Sequence, residues 1–220
     1  TDKGTISCSG NGWSYDSSTK TLTLTSNSGT YDFSLANPQD TTKTTSADSA
    51  VACAIVTQSS AKISGGTFEQ EVKNYGSIEN GTFEKEVINN NRGTISGGTF
   101  KGTVSNYNGK IAGGRFQSTS SVTNYDTITG NCTFEGKVTN NTSGTIFGGT
   151  FQDTCSVTNS GTIKNGTFKD VCSVTNNSTI ENGTFKNMCR VTNGGTIKNG
   201  TFKNMCSVEN NNTIENGTFA

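Results

Sequence analysis

The chain has 220 residues, with 17 basic and 17 acidic side chains, no histidine and a formal net charge of zero. This balance leaves no electrostatic footprint for nucleic acid or an anionic membrane, and the absence of histidine removes Ser-His-Asp and Cys-His catalysis together with imidazole metal ligands. Hydrophobic residues make up 29% of the chain, against about 45% in typical globular domains, yet only 15% of residues are charged, which excludes both an ordinary globule and a disordered chain.

Residues 1–60 carry short stretches in which apolar and polar side chains alternate, a pattern typical of β-strands. The stretches lie at 13–15, 22–24 and 31–35, followed by a polar loop at 40–49 and an apolar run at 51–56. That run is the longest apolar segment and is too short to span a bilayer, so we expect no membrane insertion. We interpret residues 1–60 as an N-terminal β cap that protects the strand edges of the first repeat.

Residues 61–220 contain ten copies of an Ile and Phe pair, and the last five intervals between phenylalanines are each 17 residues. Each Phe follows its Ile by five residues, except that Ile128 and Phe134 are separated by one residue more, in a segment that contains Cys132. A Val follows each Phe but the last, always with Asn two residues later. The phenylalanines are Phe68, Phe83, Phe100, Phe116, Phe134, Phe151, Phe168, Phe185, Phe202 and Phe219.

Three short apolar segments in each repeat predict a three-sided coil. A period of this length is too short for helical repeats, and Thr, Ile, Val and Phe in the segments with Gly or Asn at the corners favour β-structure. We therefore predict an all-β fold, a single-stack parallel β-solenoid (β-helix) of about ten coils, with Ile, Phe and Val forming three internal ladders at a spacing of about 4.8 Å.

Two further columns follow from this stacking. The Asn two residues after each Val is expected to form a ladder of side-chain amides that bond from coil to coil. The residue after Ile alternates in charge through Lys164, Glu181, Lys198 and Glu215, which places opposite charges on neighbouring strands if the coils stack in register.

The cysteines leave alternatives open. Four of them recur every 17 residues and share one column, as either buried free thiols, a cysteine ladder, or disulfides between neighbouring coils; a line of thiols does not suit tetrahedral zinc. They are Cys155, Cys172, Cys189 and Cys206. We expect a Cys8–Cys53 disulfide in the cap and no partner for Cys132.

No catalytic residue, metal ligand or cofactor is predicted. Asp153 and Asp170 lie one coil apart, near the separation used by retaining glycosidases, but they are more simply interpreted as solvated turn residues beside Lys169 and Lys186. Glutamates stack in the first two coils, where neighbouring lysines or a calcium ion would offset their charge. We therefore expect no enzyme; a polysaccharide-active enzyme is a minor alternative.

The candidate ligand-binding residues are Tyr75, Tyr107 and Tyr125, each of which directly follows a ladder asparagine. They are expected to share one edge of the rod, where rigid amphipathic rings stack on a sugar or a protein surface. The competing interpretation is that they cover turns. Outward threonine columns beside Ile and Phe raise ice binding as a minor possibility, against which charged residues interrupt the face.

The Gly-Gly-Thr-Phe and Asn-Gly-Thr-Phe repeats, together with residues 12–16 (Gly-Trp-Ser-Tyr-Asp) and 21–24 (Thr-Leu-Thr-Leu), resemble repeat regions of cell-surface or secreted proteins of Gram-positive, gut-type bacteria. The resemblance implies an extracellular or cell-surface location and an adhesive or carbohydrate-associated role. No functional residue carries over from it.

Two functions are therefore expected from the sequence. The first is a non-enzymatic surface module, an adhesin that binds a glycan or a host or microbial surface protein along a lateral face. The alternative is a structural stalk or filament subunit with end-to-end self-association through the C-terminal coil.

Overall fold

The computed structural model describes residues 13–16, 21–24, 30–32, 50–51, 54–57 and 61–220, with side chains described for 55–57 and 61–220. Within these ranges every regular element is a β-strand, and the strands stack as a β-solenoid of about ten turns, which confirms the predicted fold class. No helix in the described part of the chain is long and apolar enough to cross a membrane.

One side of the solenoid is a 12-stranded sheet, the Val column, whose strands carry the repeated Val and Asn. Its strands in spatial order are Trp13–Asp16, Thr21–Leu24, Ala54–Thr57, Val72–Asn74, Val87–Asn89, Thr103–Asn106, Ser121–Asn124, Lys137–Asn140, Ser156–Asn159, Ser173–Asn176, Arg190–Asn193 and Ser207–Asn210. All pairs are parallel and in register except the first, in which Trp13–Asp16 runs antiparallel to Thr21–Leu24.

The other two sides form a 20-stranded sheet made of an Ile column and a Phe column. The Ile column comprises Thr30–Asp32, Lys62–Gly65, Ser77–Ile78, Thr94–Ile95, Thr145–Ile146, Thr162–Ile163, Thr179–Ile180, Thr196–Lys198 and Thr213–Glu215. The Phe column comprises Ala50–Val51, Thr67–Phe68, Thr82–Phe83, Thr99–Phe100, Thr150–Phe151, Thr167–Phe168, Thr184–Lys186, Thr201–Lys203 and Thr218–Phe219. Lys110–Phe116 and Thr127–Phe134 run through both columns and join them.

The core is the set of three predicted ladders. The Ile, Phe and Val side chains of these three ladders are at most 2% exposed from Ile55 to Phe202, so the repeated apolar positions are directed inward. Successive phenylalanine rings lie 4.7–4.9 Å apart between centroids, with interplanar angles of 6–17°. This parallel stacking adds aromatic contact to the burial of apolar area.

The N-terminal strands continue the same columns. Tyr31 pairs with Ile63 and Val51 with Phe68, each one strand from the first repeat, whereas Leu22 pairs with Ile55, which in turn pairs with Val72 of that repeat. The boundary at residue 60 stays a prediction. The expected Cys8–Cys53 disulfide and the loop at 40–49 lie outside the described residues.

The inserted residue near Cys132 is absorbed as a register shift within the sheet. Ile111 pairs with Ile128, but Gly113 then pairs with Asn131 and Gly114 with Cys132. Gly130 has a φ of +78°, which a residue with a Cβ adopts only at a cost, so the bulge depends on this glycine.

Candidate binding corner at Tyr107 and Tyr125

The candidate corner lies between the Val column and the Ile column. A ladder of asparagine amides holds the backbone of successive coils together at this corner. Each Asn donates its Nδ2 hydrogen to the Oδ1 of the next Asn at 2.7–2.8 Å, and the Thr57 hydroxyl donates to Asn74 at the N-terminal end. The predicted ladder is therefore confirmed. Its members are Asn74, Asn89, Asn106, Asn124, Asn140, Asn159, Asn176, Asn193 and Asn210.

Because the ladder asparagines point inward, the residue after each one turns outward at the corner. The backbone N–H of Tyr107 donates to Asn89 O at 3.0 Å, and that of Tyr125 donates to Asn106 O at 2.9 Å. Their rings stack with centroids 5.1 Å apart and an interplanar angle of 17°. The side chains are 49% and 37% exposed.

Tyr75 belongs to the same column but does not join the stack. It is half-buried, and Asn90 occupies the equivalent position in the coil between Tyr75 and Tyr107. The structure thus brings together two of the three predicted binding tyrosines and leaves the third separated from them by one coil.

Two longer turns border the tyrosine pair. Five residues separate Asn89 from Ile95 and Asn140 from Ile146, whereas three separate Asn124 from Ile128. Four residues separate Asn106 from Ile111, so the pair sits between two turns that are longer than its own two turns by one or two residues. The signal was present in the sequence as the variable distance between the ladder Asn and the next Ile.

The bordering turns add polar groups that the repeat pattern did not indicate. Arg92 is exposed with a φ of 70°, and its backbone N–H donates to Asn108 O in the coil of Tyr107 at 2.5 Å. On the other side the Ser143 hydroxyl donates to the backbone carbonyl of Tyr125 at 2.6 Å. Asn141, next in the column, has a buried Nδ2 without a hydrogen-bond partner.

The cysteine column lies at a different corner, between the Phe and Val columns. All four thiols are free, and three of them, Cys155, Cys172 and Cys189, are fully buried. The hydrogen bond with Cys155 raises the pKa of the Cys172 thiol well above its usual range, and burial adds to the effect. Burial alone raises the pKa of Cys132 to about 12. The raised pKa values keep Cys132 and Cys172 protonated near neutral pH, and the enclosed thiols behave as core residues.

The two aspartates considered as a carboxylate pair, Asp153 and Asp170, are turn residues. Asp153 and Asp170 both have positive φ, 57° and 62°, and Asn187 continues their column in the next coil. The Asn187 amide donates to Asp170 Oδ1 at 3.2 Å and Lys169 lies 3.5 Å away, so the pKa of Asp170 is held below its usual range mainly by the Asn187 bond.

Two of the stacked glutamates form ion pairs with lysines. Lys73 lies 3.1 Å from Glu71, and Lys101 lies 2.7 Å from Glu84. Among the described residues, no group of three or more acidic or cysteine side chains is arranged to hold a metal ion. A separate pair, Arg115 and Glu135 at 2.8 Å, buries its carboxylate.

The charge alternation after Ile is in register, since Lys198 pairs with Glu215 across neighbouring strands. Its side chains do not all bond as the pattern suggested. The Lys164 ammonium lies 5.1 Å from the centroid of the exposed Phe147 ring, as in a cation–π contact.

A shallow groove follows the inserted residue. Its volume is about 280 Å³, and its lining is mostly glycine, threonine and asparagine around residues 130–133 and 149–150. Apart from the buried Cys132 it carries no titratable group, so the tyrosine corner is the stronger candidate site.

No protein-family model matches the chain, and neither a curated protein nor a solved structure shows significant similarity to it.

Proposed function

We propose that the chain is a non-enzymatic module of the extracellular space or the bacterial cell surface that binds a glycan, or a host or microbial surface protein, along its tyrosine corner. The observation that carries the proposal is the stacked, half-exposed pair Tyr107 and Tyr125 between two longer turns. Rings of this kind offer apolar surface and a hydroxyl at little entropic cost, because the stack already fixes them.

The surroundings of the pair support a polar ligand. Arg92 adds five N–H donors at one border, and Ser143 holds the backbone of Tyr125 at the other. Guanidinium and phenol groups together suit the hydroxyl and carboxylate oxygens of carbohydrates, and Tyr and Arg are also the residues enriched at protein-binding hot spots.

The test is a glycan array and a surface-protein panel probed with the wild-type chain and the Tyr107→Ala, Tyr125→Ala double variant. Loss of both rings is expected to weaken binding about ten-fold or more, because hot-spot aromatics contribute roughly 1–2 kcal/mol each. Phe147→Ala removes an exposed ring on another column and is the matched control. Tyr75→Ala is expected to have a smaller effect. Binding that is unchanged in the double variant would remove the corner from the proposal.

A structural role as a stalk or filament subunit is the second candidate. The uninterrupted parallel pairing from coil to coil favours it, because the same hydrogen bonds can join coils of two molecules. Sedimentation over a range of concentrations is expected to show growing species, which a polar capping coil added after Phe219 abolishes. A single species at all concentrations would contradict this role.

A further inference from the structure

A second exposed feature lies at the corner between the Phe and Val columns, on the opposite side of the thiol column from the core. Val171, Met188 and Met205 each precede an inward cysteine and point outward, with exposures of 58%, 54% and 81%. Val171 and Met188 have described coils on both sides, so their exposure belongs to the corner itself. We name these three side chains the apolar edge.

The two methionines occupy backbone conformations that disfavour them. Met188 and Met205 have φ of 63° and 59°, each directly after an asparagine that is also left-handed. Two successive positive φ angles are typical of a turn in which Gly follows Asn. Apart from Arg92, every other non-glycine residue with positive φ in the described part of the chain is Asn or Asp.

The left-handed methionines contribute little to the stability of the fold. A methionine in such a turn costs conformational energy, and an exposed side chain recovers almost none of it through packing. A strained conformation that the core does not require points to a use outside the chain, here the presentation of unbranched apolar side chains at the tips of turns.

Cations border the apolar edge on both sides. Lys169, Lys186 and Lys203 lie on the Phe side, in register with each other, and Arg190 lies on the Val side. Asp170 pairs with Lys169, but no described residue forms an ion pair with Lys186, Lys203 or Arg190. Like charges stacked in register repel, so an anionic partner would relieve this strain.

We infer that the apolar edge and its cations form a peripheral docking site for an anionic lipid bilayer. The edge is a single column of exposed side chains at a corner of the coil, which suits a deformable planar surface, whereas a protein partner would have to supply a matching groove. Apolar tips enter the interface while lysines remain among the headgroups. The zero net charge of the chain gives no indication of this site, because the cations lie apart in the sequence and come together only when the coils stack.

The test is co-flotation with phosphatidylcholine vesicles that contain roughly one third phosphatidylglycerol, whose negative surface potential attracts lysines. The Val171→Ser, Met188→Ser variant and the Lys186→Gln, Lys203→Gln variant are each expected to lower the bound fraction about ten-fold. The matched control, Phe147→Ser with Lys164→Gln, removes one exposed apolar residue and one lysine from another face and is expected to bind within about two-fold of the wild type.

The outcomes separate lipid from other partners. Vesicles of phosphatidylcholine alone are expected to leave the chain unbound. Absence of binding to the anionic vesicles, or equal loss in the control variant, would overturn the assignment. So would capture by soluble polyglutamate with the same variant dependence, since that result identifies an acidic polypeptide as the partner. Thermal unfolding of each variant shows that it is folded.

Discussion

The first five coils and the last five differ in regularity, although they share one core. Ladder asparagines are separated by 15 to 19 residues up to Asn159 and by 17 residues at every later step. The amide bonds are nevertheless 2.7–2.8 Å throughout. Extra residues are therefore taken up at the corners or in the bulge, and the interior columns are preserved.

The two regions use their surfaces differently as a result. In the regular half, identical turns stack identical residues, so an outer amide ladder links Asn165, Asn182, Asn199 and Asn216 at 3.1–3.3 Å. In the irregular half, turns of unequal length interrupt such columns and leave the tyrosine pair between two borders. Regular repeats extend ladders, whereas unequal ones create local sites.

The strongest test of a uniform core is to remove one ring in each half. Phe116→Ala and Phe168→Ala are each expected to lower the free energy of unfolding by about 3–5 kcal/mol, because each leaves a ring-sized cavity between stacked neighbours. Denaturant unfolding measures both. The exposed Phe147→Ala is the control and should cost less than about 1 kcal/mol. A clear difference between the two buried sites would mean that irregular coils pack less well.

The buried and outer amide ladders should differ in the same way. Asn176→Ala removes the acceptor of one Asn159 Nδ2 hydrogen and the donor to Asn193 Oδ1 inside the protein, and should cost about 2–4 kcal/mol. Asn182→Gly breaks two exposed bonds of the outer ladder without adding strain at the positive φ of 36°, and water replaces the bonds, so its cost should be about 1 kcal/mol or less. Thermal and urea unfolding give both values. Equal costs would show that burial does not set the strength of the ladder.

The sequence predicted the core residue by residue. The Ile, Phe, Val and Asn columns follow from spacing alone, because only inward positions restrict residue type in every coil. The register of Lys198 with Glu215 was predicted on the same basis.

The surface was less predictable, since a turn's shape depends on φ angles that spacing does not encode. Arg92, Met188 and Met205 gave no signal as residues, and their left-handed conformations appear only in the structure. The cysteine column was placed correctly, but parallel Cβ atoms at this separation suit either thiols or disulfides, so spacing left the choice open. The structure has free thiols.

Stability above neutral pH should depend on the thiols of both halves. The folded-state pKa of Cys132 is raised to about 12, so its contribution is complete below the unfolded value and is lost as pH rises toward the folded one. From about pH 8.5 the unfolding free energy should fall by up to about 1.4 kcal/mol per pH unit per thiol. Urea unfolding of wild type and Cys132→Ala under reducing conditions measures the difference in slope. Identical slopes would place Cys132 outside this linkage.

The smallest expected effect tests the strained corner of the regular half. Met188→Gly should raise the unfolding free energy by about 0.5–1 kcal/mol, because glycine removes the left-handed strain at a smaller entropic cost. Val171→Gly is the matched control: Val171 shares the column without positive φ, so glycine there should lower stability by a similar amount. If urea unfolding shows that the two variants change the unfolding free energy in opposite directions, and both bind vesicles more weakly, then Met188 destabilises the fold while it contributes to binding. Equal signs would contradict this account.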